Sequence, residues 1–215
     1  MRYDSLYVQY GCGLCAPDGW TNFDASPTLR LQRLPLVGRI LTRGRVKFPK
    51  NVRYGDVVRG LPIPTGSCCA VYASHVLEHL SLLDFELAIK ETYRILHSDG
   101  IFRLVVPDLV TLASRYLDRI NRGEPDANSR FLQEAYLGME SRPNSMVSRF
   151  VQTLGNSKHL WMWDEKSLSK ELSKAGFVGV RRAHFNDGSD PMFRLVEEEE
   201  RFEGAVAIEA RRPRY

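Results

Sequence analysis

The chain has 215 residues, 43% of them hydrophobic and 26% charged, with a formal net charge of +4. That length suits one sizeable domain with a full core, and the composition excludes a disordered or low-complexity chain. The mild, scattered positive charge speaks against a nucleic-acid binder, and no apolar run approaches the roughly 20 residues of a membrane span.

In chain order, Ser5 to Gln9 reads as a short strand ended by two glycines, Trp20 to Asp24 as a second and Asn51 to Gly55 as a third. Between them Arg39, Arg43, Arg45 and Lys47 cluster in what reads as a solvated connector. Cys69 to Ala73, CAVYA, is a compact apolar run of the kind found in buried parallel strands. The next segment, SLLDFELAIKETYRILHSDG, is the clearest helix: Ser81 with Asp84 fits a capping box, and Phe85, Ala88, Thr92 and Ile95 form one stripe. Gly100 is expected to close that helix, followed by the strand GIFRLVVP. A later helix starts at Asp164 with Leu168, Leu172 and Ala175 inward, and ends at Gly176 before the strand FVGVRR. Glu197 to Glu200 read as a solvated turn, and AVAIEARRP as a last strand.

Strands alternating with helices predict an α/β fold around a mostly parallel sheet. Residues 108–160 break the rhythm with three helical patterns and no strand, DLVTLASRYLDRINRG, SRFLQEAYLGM and SMVSRFVQTLG, and read as a helical cap inserted into a single domain spanning 1–215.

The stretch YGCGLCAPDGWTNFDASP carries the chemistry. Gly11 and Gly13 follow the first strand directly, so backbone can approach a ligand there, and Asp24 ends the second strand, where a carboxylate can accept from both hydroxyls of a ribose. Only six residues separate Gly13 from Trp20, too few for the helix whose N-terminus would hold a pyrophosphate, which counts against NAD or FAD. A parallel return is still possible, since nine extended residues reach about 30 Å and a five-residue strand spans about 17 Å. Cys12 and Cys15 have the spacing of half a zinc site, but Cys68 and Cys69 are adjacent and complete no familiar set. Reduced, small apolar filler is the simpler account of all four.

Four segments together resemble the class I S-adenosylmethionine-dependent methyltransferases, and more narrowly the compact bacterial type 11-like group. They are YGCGLCAPDGWTNFDASP, YGDVVRGLPIPTGSCCAVYASHVLEHL, ETYRILHSDGIFRLVVPDL and HLWMWDEKSLSKELSKAGF. The resemblance implies a Rossmann-like sheet and S-adenosyl-L-methionine as cofactor. It also implies that Tyr10, Gly11 and Gly13 hold the methionine portion, Asp24 the ribose, and Asp56 with Val57 the adenine, while Ser74 and His75 face the sulfonium. Gln9 stands where the wider family often has an acid. As residues, Asp24 and Asp56 also fit turn-capping roles.

Methyl transfer from a sulfonium needs alignment and exclusion of water, and for an oxygen or nitrogen acceptor sometimes a base. His75 is the best-placed histidine for that base; His159, beside Trp161 and Trp163, could close the pocket from the cap. The expectation is a metal-free enzyme acting on a small-molecule or glycan acceptor, with no nucleic-acid partner. Arg115, Arg119, Arg122, Arg130 and Arg149 of the cap are available to an anionic acceptor. The alternative is a non-catalytic nucleoside- or partner-binding protein on the same fold. The N-terminus MRYDSLYVQY lacks the apolar core of a secretory signal, so a cytoplasmic location is expected.

Overall fold

The structure is a computed structural model and describes residues 6–33, 47–138 and 158–214. Seven strands form one sheet: β1 (Leu6–Tyr10), β2 (Thr21–Asp24), β3 (Val52–Tyr54), β4 (Cys68–Ser74), β5 (Leu96–Pro107), β6 (Val178–Ala183) and β7 (Ala205–Arg211). Their order is β3-β2-β1-β4-β5-β7-β6. β1 to β5 run parallel, while β7 lies antiparallel between β5 and β6. The strand order reverses between β1 and β4, and in open α/β sheets ligands bind at the carboxyl ends beside that point. The α/β, Rossmann-like fold of class I methyltransferases expected from the sequence is present.

The helices are α1 (Pro27–Gln32), α2 (Leu82–Ile95), α3 (Leu109–Asn121), α4 (Ala127–Glu134) and α5 (Glu165–Lys174). α2 starts where the sequence places it: the Ser81 hydroxyl accepts from the Asp84 N–H at 3.2 Å. Its buried stripe of Phe85, Ala88, Ile89, Thr92 and Ile95 faces the sheet with α5, over Val8, Tyr10, Phe23, Val71, Phe102 and Leu104. Each fully buried large apolar side chain there contributes roughly 1.5–3 kcal/mol. Asp164 caps α5 in a reciprocal capping box with Ser167.

The opposite face lacks a β1–β2 crossover helix because the connection is too short to hold one. Its place is taken by the segment between β6 and β7. A 3-10 turn, Pro191–Leu195, lays Met192 and Phe193 against Tyr7, Trp20, Ala70 and Tyr72. The Trp20 indole N–H donates to the Met192 carbonyl at 3.1 Å, and the Tyr7 hydroxyl to Asp190 at 2.9 Å.

Two expectations are corrected. Gly100 does not close α2: the helix ends at Ile95, the chain enters β5 at once, and the positive φ falls on Asp99 at 67°. Glu197 is not in a solvated turn. Its side chain is fully buried against Arg103 in mid-β5, a lone cation in an apolar strand that needs a buried acid. The helical patterns at 109–134 form α3 and α4, but SMVSRFVQTLG, Arg39, Arg43, Arg45 and Arg149 lie outside the described residues. Arg119 pairs with Glu134, and Arg130 with Asp126 at 2.7 Å, so these two arginines are tied to acids within 119–134.

Candidate active site

The glycine loop leaves β1 at Tyr10, whose side chain turns inward so that its hydroxyl meets Thr92 at 3.1 Å. Only the Tyr10 backbone is therefore open to a ligand. Gly11 has φ +64°, and a Cβ there would stand 2.1 Å from Val76 Cγ2. Gly11→Ala is expected to displace the loop or the 75–79 turn and weaken cofactor binding at least tenfold by calorimetry; unchanged affinity would refute this close approach. Gly13, at φ +54°, has nothing within 4 Å of a built Cβ, which leaves space for a ligand above the loop.

Gln9 is buried and used internally: its amide donates to Asn22 Oδ1 at 2.6 Å and to the Cys15 carbonyl at 2.7 Å, fastening the loop to β2. The four cysteines are free thiols. Burial pushes the Cys12 thiol up to about 12, with the Asp24 charge adding to the effect, so Cys12 stays protonated at neutral pH.

Asp24, nearly buried, accepts from the Gly13 N–H at 3.0 Å and the Ser26 N–H at 2.7 Å. A carboxylate offers about four acceptor sites, so room remains for ribose hydroxyls beside these two bonds. Asp56 accepts from the Val58 N–H at 3.0 Å and pairs with Arg59 at 3.3 Å, while Val57 packs into the core below. Both aspartates therefore hold turns, as their residue types also allowed.

A cleft lies between the glycine loop, the end of β4 and the segment before β7. It is narrow, with a cavity volume of about 10 Å³, and is lined by Gln9, Gly11, Cys15, Tyr72, Ser74 and Arg201 among others. Ser74 Oγ and Tyr72 Oη are buried in it facing each other, with no further partner among the described residues. The contribution of Val196, Glu198 and Arg201 was not legible in the sequence, since they arrive 180 residues after the loop they cover. A broader polar depression of about 700 Å³ lies at the amino ends of β2 and β3, between Asp18, Arg33, Lys50 and Arg53.

His75 stands at the carboxyl end of β4 with φ 52°. Its Nε2 lies 2.8 Å from the Arg201 carbonyl and its Nδ1 3.4 Å from Glu78 Oε1. Burial pushes the imidazole down, but the Glu78 carboxylate and the Arg201 carbonyl outweigh it and hold the group above the ordinary histidine value. Glu78 is 1% exposed and lies in the 3-10 turn Leu77–His79. The segment that carries His159 docks on that turn, with the Leu160 N–H donating to the Glu78 carbonyl at 2.7 Å.

Residues 10–104 match the family model described as a methyltransferase domain. No curated protein sequence matches the chain. Among solved structures, a SAM-dependent methyltransferase from Archaeoglobus fulgidus superposes at a TM-score of 0.51 and 16% identity, covering 97% of this chain and 87% of that one. A complex of the Haloferax volcanii Trm112 methyltransferase activator with a putative methyltransferase gives 0.50 and 14%, covering 99% and 86%. Phosphoethanolamine N-methyltransferase 2 of Haemonchus contortus, bound to phosphomonomethylethanolamine and S-adenosylhomocysteine, gives 0.50 and 11%, covering 100% of this chain but 50% of that one. The fold is that of the class I methyltransferases. The methyltransferase-domain match spans the glycine loop, β4 and most of β5, so that part of the chain is similar to a methyltransferase domain.

Proposed function

We propose that the protein transfers the methyl group of S-adenosyl-L-methionine to an oxygen or nitrogen of a small-molecule or glycan acceptor, entering beneath a cap built from residues 108–160. The observation that carries the placement is the open space above Gly13 beside the Asp24 carboxylate. The Ser74 and Tyr72 hydroxyls nearby, which face each other, supply further donors and acceptors. The residues fit the cofactor: the backbone of Tyr10 to Gly13 and Ser74 would border the methionine portion, Asp24 the ribose, and Asp56 with Val57 the adenine. The cleft itself holds only about 10 Å³, far below the roughly 300 Å³ at which whole-ligand pockets begin, so the nucleoside would lie outside it, along the rim past Asp24.

When bound, the cofactor supplies a methyl carbon on cationic sulfur, already activated for displacement. The chain's task is then to align an acceptor and exclude water, which is where pre-organised geometry lowers a barrier. Val196, Glu198 and Arg201 close the cleft on one side. The base role expected of His75 needs Nδ1 open to the acceptor. With that nitrogen turned to Glu78 and Nε2 on the Arg201 carbonyl, we assign His75 to positioning the end of β4.

The test is a labelled-methyl assay across hydroxyl- and amine-bearing small molecules and glycans. A methylated oxygen or nitrogen in that panel is the expected result. Methylation confined to carbon, protein or nucleic-acid acceptors by enzyme that binds S-adenosylhomocysteine would overturn the acceptor class while leaving the fold assignment intact.

A further inference from the structure

Four titratable groups converge beyond the end of β4. Glu78 is buried, and among the described residues its carboxylate is met by imidazole nitrogens at 3.4–3.9 Å rather than by a close hydrogen-bond donor. His79 Nε2 and His159 Nε2 each lie 3.9 Å from Glu78 Oε1, and His75 Nδ1 lies 3.4 Å from it. One ligand atom from each of Glu78, His79 and His159 falls within 4.8 Å of the others.

The outer nitrogens determine what the inner ones present. His79 Nδ1 is 2.9 Å from the Lys158 carbonyl, and His75 Nε2 is 2.8 Å from that of Arg201. A carbonyl only accepts, so those outer nitrogens carry protons, and the inner nitrogens are the ones placed to meet an ion. A buried carboxylate is costly unless a partner of opposite charge meets it, and a cation set among these side-chain atoms would supply one. An imidazole whose second nitrogen donates to a backbone carbonyl is also the usual supporting arrangement around a metal ion.

We propose that Glu78, His79 and His159 form a binding site for a divalent transition-metal ion of the zinc class, with His75 the nearest further donor. Imidazole and carboxylate ligands suit such ions, and two ligands each about 2.1 Å from a tetrahedral ion stand roughly 3.4 Å apart. The two histidine–carboxylate separations of 3.9 Å reach that spacing after closure by about half an ångström, and the two histidines, within 4.8 Å of each other, after closure by at most about 1.4 Å. The site joins the 3-10 turn after β4 to the segment at 158–163, so the ion holds that segment to the end of the sheet. Three protein ligands leave a coordination position for water or an acceptor oxygen. The inference departs from the metal-free site expected from the sequence and stands on geometry separate from the cofactor seat.

The test uses the full chain without a histidine tag. Elemental analysis is expected to find close to one equivalent of zinc or a related ion. Stripping with a chelator and restoring zinc is expected to raise Tm by roughly 5–10 °C at saturating metal. Cobalt substitution is expected to give visible ligand-field bands without a thiolate charge-transfer band, and Cys12→Ser/Cys15→Ser to keep the metal. Glu78→Gln/His79→Ala is expected to lose it; should that variant fail to fold, the wild-type cobalt spectrum decides. Metal at trace level, with no Tm response to zinc, cobalt or manganese, would overturn the proposal and mean that a proton occupies the cluster. Loss of metal in the cysteine variant would overturn it in favour of the thiols.

Discussion

Arg103→Met is expected to destabilise the fold by about 3–5 kcal/mol, because it leaves buried acids without their cation. Arg103 is completely buried in mid-β5. Its guanidinium pairs with Glu197, with Glu209 at 3.2 Å and with Asp187 at 3.0 Å, and donates to the His184 carbonyl at 2.5 Å. Glu197 also accepts from the Asn186 N–H at 2.7 Å, so one cation ties β5 and β7 to the whole segment 184–197. Arg103→Lys does not restore this, since an ammonium cannot reach several acids in a fixed fork. Urea unfolding measures the loss; a change below about 1 kcal/mol would show that the network is not needed.

The same variant is expected to weaken cofactor binding, since the released segment carries Val196, Glu198 and Arg201 over the cleft. Acid acts on the network as well. Burial pushes the Asp187 carboxyl up, but Arg181, the His184 backbone and Arg103 together hold it below the ordinary carboxylate value. A lowered folded-state pKa gives stability that is complete above the unfolded value of 3.8 and lost as pH falls through the folded one. Loosening of the segment is therefore confined to strongly acidic solution.

Asp24→Ala is expected to cut affinity for S-adenosylhomocysteine by about 10- to 100-fold, since hydrogen bonds to a charged group contribute roughly 1.5–3 kcal/mol. Two effects combine. The ribose loses its acceptor, and the loop loses the bond from the Gly13 N–H that fixes its approach. Asp24→Asn separates them, because an amide oxygen still accepts from one backbone N–H. An intermediate affinity is expected for it by calorimetry, and equal affinities for wild type and both variants would remove Asp24 from the seat.

The sheet and its flanking helices were legible because local signals matched the global fold. Ser81 and Asp164 mark helix starts, and the CAVYA run is buried on both faces as parallel strands require. The parallel pairing of β1 with β2 across a ten-residue link was only permitted by chain length; it stands because the β6–β7 segment covers the face a crossover helix would have filled. What stayed hidden depends on distant partners. Arg103 reads as an oddity in an apolar strand until Glu197 and Glu209 are placed beside it. Glu78 and His79 sit in SHVLEH, but only folding brings His159 to them, 80 positions after His79. Gly100 misled because a glycine after a periodic segment usually ends a helix, whereas Ile95 passes directly into β5.

A crystal structure with S-adenosylhomocysteine tests the seat most directly. The account predicts the nucleoside above Gly13, with its ribose hydroxyls on Asp24 and its sulfur turned toward Ser74. A nucleoside found instead in the depression between Arg33, Lys50 and Arg53, with the glycine loop empty, would contradict it.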